Sequence, residues 1–212
     1  METRKRPSIK LTGGPHGIPR AVVHEVQRGR LIDAALEVVA EEGYVDATVH
    51  KILKRAGISR RTFYEIFTDK QGCFIAAYQE IADHMLAIVE VACRESGSPE
   101  RRIENGLRAL LQFAETEPKA AKTGIVEVMA AGAAARERRA QTMEQLTSLA
   151  ANVLEERGDS RAEALLRARV LTGGVHEIVY GALARGRLEG IAELADAVAD
   201  SYLAPLGAVH GR

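Results

Sequence analysis

The run Ser59-Arg60-Arg61-Thr62-Phe63-Tyr64 concentrates the side chains best suited to recognising a partner. Two guanidiniums on one helical turn can each bond O6 and N7 of a guanine, or clamp phosphate oxygens. Tyr64 lies three and four residues beyond Arg61 and Arg60, on a neighbouring helical face where its hydroxyl can hold a phosphate. Thr48 and Lys70 fall where helices are predicted to begin. The free N–H groups and positive dipole end of a helix start suit phosphate oxygens. The chemistry on offer is recognition of a nucleic acid.

Such side chains act only if short helices hold them outward. Thr48 is a predicted N-cap, followed by Val49, Ile52, Leu53 and Ala56 at helical spacing, and Gly57 ends that helix after about two turns. Ser59 caps the next. Ile58 before the cap and Phe63 at the fourth helical position have the spacing of a hydrophobic staple. Ile58, Phe63, Ile66 and Phe67 should face inward, leaving Arg60, Arg61, Thr62, Tyr64 and Glu65 outward. Thr68 to Gln71 reads as a capping box that starts a long helix running to about Arg94. An earlier helix spans about 28–42, and the long helix must support all three short ones. On this pattern alone two readings stand: a helix-turn-helix that enters the DNA major groove, or a small structural three-helix unit.

The chain has 212 residues, 46% hydrophobic and 27% charged, enough to bury a core. Trp is absent and aromatics are 4%, which argues against a carbohydrate-binding or aromatic-cage protein. No stretch approaches the roughly 18 apolar residues of a membrane span, and no apolar run follows the basic start as in a secretory signal. Cys73 and Cys93 read as buried thiols in a reducing compartment, so a cytoplasmic location is expected. The formal charge is zero, yet residues 1–70 carry net +4 and residues 71–212 net −4. A polyanion partner met by one end, or simply a solvated tail, accounts for that asymmetry. Arg4, Lys5, Arg6 and Arg20 lie in a Gly- and Pro-containing arm. The arm either enters an adjacent minor groove or acts as a nonspecific electrostatic tail.

Beyond Arg94 the pattern stays helical, with further helices at about 99–116, 118–131, 133–157, 160–187 and 190–204, so the fold class is all-α with about nine helices. No nucleophile–base pair, phosphate loop or His/Cys spacing for zinc is found, which argues against an enzyme, a metal site or a cofactor. Residues Thr172 to Ala184 are apolar nearly all round and must be covered on more than one side; a second subunit is the natural cover. Ile191, Leu194, Val198 and Tyr202 add a stripe on the next helix.

The segments from Gln27 to Ala35, Glu42 to Val49 and Ala56 to Lys70 resemble the N-terminal domain of the tetracycline-repressor (TetR) family of regulators. The Arg-Thr-Phe-Tyr version with Cys73-Phe74 and Ala77-Tyr78 resembles an actinobacterial branch whose members carry a basic N-terminal arm. The resemblance implies a flexible arm over 1–22, a DNA-binding domain over 23–78, and an effector-binding and dimerisation domain over 79–212. By position, Thr48, Tyr64 and Lys70 match phosphate contacts, and Ser59, Arg60, Arg61 and Thr62 open the recognition helix. Leu53 departs from the family's usual Ala; His50 and Lys51 are individual to this chain, and only a backbone contact is assigned to Lys51.

The implied function is a homodimeric, cytoplasmic transcriptional regulator, most often a repressor, that is released from a palindromic double-stranded operator by a small-molecule effector. Candidates for the effector site are Met85, Ile88, Leu110, Phe113, Met129, Met143, Thr147, His176 and Tyr180, a methionine-rich set that favours a flexible apolar molecule. A nonspecific architectural DNA-binding protein and a helical small-molecule carrier are the alternatives.

Overall fold

The computed structural model describes residues 19–203, and its regular elements are all helical. The basic residues Arg4, Lys5 and Arg6 and most of the arm lie outside the described residues. Helix α1 is Arg20–Glu42, eight residues longer than the stripe beginning near Arg28 predicts. The Gly/Pro punctuation ends at Pro19, whose carbonyl accepts from the Val22 and Val23 amides, and nothing between Arg20 and Gln27 interrupts a helix. Arg20, Ala21 and Val22, assigned above to the arm, are therefore the first turn of α1.

Three short starts follow, each set by a side-chain cap. Thr48 Oγ1 accepts from the Lys51 amide and opens α2, Val49–Ala56. Gly57 ends it in the left-handed conformation (φ +63°), and a Cβ there would lie 3.0 Å from Arg30 Nη2. That guanidinium needs the space, since it donates to the Ala56 carbonyl at 2.5 Å and so ties α1 to the end of α2. Ser59 Oγ accepts from the Thr62 amide (3.1 Å) and opens α3, Arg60–Ile66. Helix α4, Lys70–Cys93, is capped by Asp69 and not by Thr68: Asp69 Oδ1 accepts from the Gly72 amide at 2.7 Å. Gln71, the expected capping-box partner of Thr68, instead donates to the Ala131 carbonyl at 2.6 Å.

The body comprises five more helices. They are α5 (Pro99–Thr116), α6, α7 (Ala133–Glu156), α8 (Arg161–Ala184) and α9 (Leu194–Leu203). Helix α6 begins as Pro118–Lys122, widens to a π-helical turn at Thr123–Glu127 and closes at Val128–Ala130. Counted so, nine helices lie among the described residues. Ser160 and Glu163 form a reciprocal capping box at the start of α8.

Two apolar clusters organise the chain. One joins α4, α5, α7, α8 and α9 around Leu111, Ala151, Leu154, Ala164 and Ala168, all 0% exposed. The other gathers α1 to α4 around Leu31, Ala35, Phe63 and Cys73. As expected, α4 supports the short helices through Cys73, Phe74, Ala77 and Tyr78. Unforeseen in sequence, Val128 at the end of α6, Ala131 just after it and Ala135 in the first turn of α7 complete that second cluster. The head is thus closed by a piece of the body.

Candidate functional site

Helix α3 is pinned from below. Phe63 is fully buried, Phe67 nearly so, and Ile58 and Ile66 are half-buried against the same cluster. The Phe63 ring meets Tyr64 edge-on (5.2 Å) and Phe67 at a tilt (5.9 Å), so aromatic contacts fix how the outer side chains stand. Arg60, Arg61, Tyr64 and Glu65 are exposed, with Thr62 half-buried at the base. The Arg60 guanidinium sits over the Tyr64 ring at 5.9 Å, a cation–π stack that steers both outward. Arg61 Nε bonds Glu65 Oε1 at 2.9 Å one turn along, while its side chain stays 90% exposed. An exposed pair of this kind is weak and can exchange for another anion.

The remaining predicted contacts differ in kind. Thr48 is exposed, with its hydroxyl engaged as the α2 cap. Lys70 turns its ammonium inward: Nζ donates to the Tyr44 and Ala47 carbonyls, both at 2.8 Å, and lies 4.1 Å from the centre of the Tyr44 ring. Burial draws its pKa below the ordinary value, against the pull of Asp46. What Lys70 presents outward is therefore the backbone of a helix start, and its charge staples the loop before α2. Lys51 is likewise committed, to Glu42 at 2.5 Å and the Asp46 carbonyl at 3.0 Å. Arg55 ties α2 to Glu37 and Glu41 of α1. The three bonded cations orient the head, leaving Arg60 and Arg61 as the cations of its outer helix.

Within the body, α4, α5, α6, α7 and α8 enclose a cavity of about 90 Å³. Of the nine candidates, Met85, Leu110, Phe113, Met143 and His176 line it. The other four do not. Met129 follows the π turn and is 50% exposed; the residue such a turn adds rotates what comes after by about 100°. Tyr180 belongs to an outer stripe of α8 and is 44% exposed. Ile88 lies one turn beyond the last α4 residue of the lining, Met85. Thr147 is buried in the α7–α8 contact, donating to the Met143 carbonyl (2.8 Å) with its hydroxyl 3.0 Å from that of Thr172.

Of the polar end of this cavity, formed by Tyr78, Arg139, Thr142 and His176, the sequence pointed to His176 alone. Arg139 Nη2 stands 2.7 Å from His176 Nε2. Burial first, and then the Arg139 charge, hold the His176 pKa below its ordinary value. A neutral imidazole therefore accepts at Nε2 from the guanidinium. Burial pushes the Tyr78 phenol up, against the pull of Thr142 and of Arg139 and Arg138. An Arg in a helix of ordinary composition gives no sequence signal that it faces a cavity.

Cavity and head meet at α6. Gly124 and Ile125 of its π turn line the cavity. On either side of them, Lys122 Nζ donates to the Ala40 carbonyl and Glu127 Oε2 accepts from the Tyr44 amide, both at 2.8 Å. Gln71 reaches across at the next turn to Ala131. Gly132 makes that approach feasible: its φ is +94°, and a Cβ would lie 2.5 Å from Gln71 Nε2.

A short capped helix with exposed Arg60, Arg61 and Tyr64, held on a three-helix head beside a larger helical body with a cavity, is a helix-turn-helix architecture. Residues 31–77 match the family model described as bacterial regulatory proteins, tetR family. The chain is similar to the HTH-type transcriptional activator FasR of Mycolicibacterium smegmatis, 28% identical over 113 residues, or 53% of this chain and 52% of that one. Against the HTH-type transcriptional regulator BetI of Escherichia coli it is 34% identical over 89 residues, 41% and 46% of the two chains. The chain thus spans about half the length of the curated relatives it matches.

The fold is similar throughout to the fatty acid degradation regulator FadR from Bacillus halodurans, with TM-score 0.76, 21% identity, and 95% of this chain and 100% of that one covered. It also resembles FadR from Bacillus subtilis solved in complex with stearoyl-CoA, with TM-score 0.76, 20% identity, and 83% and 97% covered. Among the described residues no helix is long and apolar enough to cross a membrane, and no group of three His, Cys, Asp or Glu is placed to hold a metal.

Proposed function

We propose that this protein is a sequence-specific DNA-binding transcriptional regulator, read here as a repressor that a small-molecule effector releases from a palindromic operator. The observation that carries the reading is α3 itself: a capped helix, anchored by Phe63 and Phe67, that turns Arg60, Arg61 and Tyr64 to solvent. Residues 23–78 would read DNA, with Ser59 to Thr62 at base edges and Tyr64, Thr48 and the α4 start at Lys70 on phosphates. Residues 79–212 would bind effector and partner. No catalytic step enters this reading.

Two-fold pairing is supported by α8. Leu166, Val170 and Tyr180 are 67%, 63% and 44% exposed on one stripe, and a Cβ on Gly173 or Gly174 would meet nothing within 4 Å. Leu194 of α9 adds to this face, whereas Ile191 turns into its own subunit's core. A second copy of the chain would cover the face and set two α3 helices about one DNA turn apart. Val170→Asp should convert a dimer to a monomer by light scattering.

The cavity would report to the head through α6, since the same helix lines the one with Gly124 and Ile125 and holds the other with Lys122 and Glu127. An effector shifts the balance only by binding the DNA-incompetent arrangement more tightly. The apolar walls suit an apolar effector, in keeping with the stearoyl-CoA bound by the Bacillus subtilis neighbour.

The test is selection of bound DNA from a random pool. Enrichment of a palindrome supports the reading. Retention without sequence preference would leave an architectural protein, and no retention a carrier; either result overturns it. A reporter driven by the selected site then gives the sign of regulation.

A further inference from the structure

The cavity is apolar except at one end, and that end carries a cation without a counter-ion. Arg139 bonds only the neutral His176 through Nη2, and its Nε is buried with no hydrogen-bond partner among the described residues. No carboxylate stands within ion-pair distance of it among those residues. A buried guanidinium N–H left unpaired is costly, and such a group in a native fold calls for a partner that the chain does not supply. The neighbours facing it are Tyr78 and Thr142; outside, the exposed Arg138 and Glu177 add opposite charges that act on Tyr78 and His176. The buried pole itself thus holds a guanidinium and no carboxylate.

At the other end, a second apolar hollow of about 40 Å³ shares Leu110, Leu146, Thr172 and Val175 with the first, and reaches Cys93 and Gly106. The two hollows lie in series along the α7–α8 pair. From Arg139 to Ala150, at the far end of α7's contribution, the helix rises about 16 Å at 1.5 Å per residue. Space of that form is long, narrow and greasy, and closed at one end by a positive charge.

We propose that this cavity binds an unbranched aliphatic carboxylate, its headgroup on Arg139 beside His176 and its tail running between α7 and α8 toward Cys93. The carboxylate accepts from Arg139 Nε, giving that buried N–H the partner it lacks. A coenzyme A thioester offers only a neutral carbonyl at that depth and leaves Arg139 without a counter-ion. The assignment rests on the cavity being the effector site proposed above, but its test does not use DNA.

Titration calorimetry on the full chain compares dodecanoate with dodecan-1-ol and dodecanoyl-CoA. Dodecanoate should bind about tenfold or more tightly than the alcohol, the scale of one charge-assisted hydrogen bond. Arg139→Gln should erase that preference, and Arg139→Lys should keep part of it. Should Arg139→Gln fail to fold, Ala150→Phe reports independently, by shortening the far end so that dodecanoate binding falls while hexanoate binding does not. Equal affinity of wild type for acid and alcohol overturns the proposal, as does a thioester that binds more tightly than the acid. DNA selection that fails while dodecanoate binds would remove the regulatory reading alone. A palindrome found without a carboxylate preference would remove this inference alone.

Discussion

In the head, α2, α3 and α4 each begin where a Thr, Ser or Asp caps them, and one buried ring, Phe63, sets which way α3 faces. In the body, the cavity has no comparable local author. Its polar end is made of Tyr78 on α4, Arg139 and Thr142 on α7 and His176 on α8, residues separated by up to about a hundred positions along the chain. A reading surface can be specified by short-range rules because it needs only one rigid helix with its sides correctly assigned. A cavity is the space left between helices, so it depends on how all of them pack.

The sharpest way to break this contrast is Phe63→Ala. Removing a fully buried ring costs roughly 3–5 kcal/mol, and the loss should fall on the head. Hydrogen exchange should show α2 and α3 losing protection while α7 and α8 keep theirs. Equal loss in both regions would mean that the two clusters unfold as one.

Next in size, Arg60→Ala should cost about 1–3 kcal/mol in operator binding and relax the preference at one base position. Tyr64→Phe should instead weaken all sequences alike, as loss of a phosphate contact does. Competition binding on single-base operator variants separates them, and a uniform loss from Arg60→Ala would reassign that side chain to the backbone.

Ser59→Ala removes the cap of α3 and should cost about 1 kcal/mol, read by thermal melting. The smallest effect is in the body. Folding holds the His176 pKa below its ordinary 6.5, by burial first and Arg139 second, so the folded chain binds fewer protons there than the unfolded chain. The stability this contributes is present above 6.5 and is lost as pH falls through the folded value. His176→Gln should flatten that acid-side decline in melting temperature, leaving the neutral-pH value nearly in place.

How far each region was legible follows from the same contrast. The α2–turn–α3 unit could be read because Thr48, Gly57 and Ser59 each act within a few residues of their partners. The start of α4 was misplaced by one residue because Gln71, matched locally to Thr68, is engaged with Ala131 sixty positions away. Lys70 was found at its helix start, but the inward turn of its ammonium depends on the Tyr44 and Ala47 carbonyls. Of the cavity candidates, those in phase with their helices' inner faces line it, while Met129 was displaced by the π turn of α6. Arg139 was missed because charge alone does not distinguish a solvent-facing Arg from one at a buried pole.

Sequence alone thus determined the helical class, the helix-turn-helix, and which sides of α3 are apolar and which polar, because caps, left-handed glycines and a 3.6-residue period act over a few residues. Only the tertiary structure decided that α6 closes the head's core while lining the cavity, and that an Arg and a neutral His meet at that cavity's one polar end. Those features are relations between helices distant in the chain, and their free energy resides in packing that no local pattern encodes.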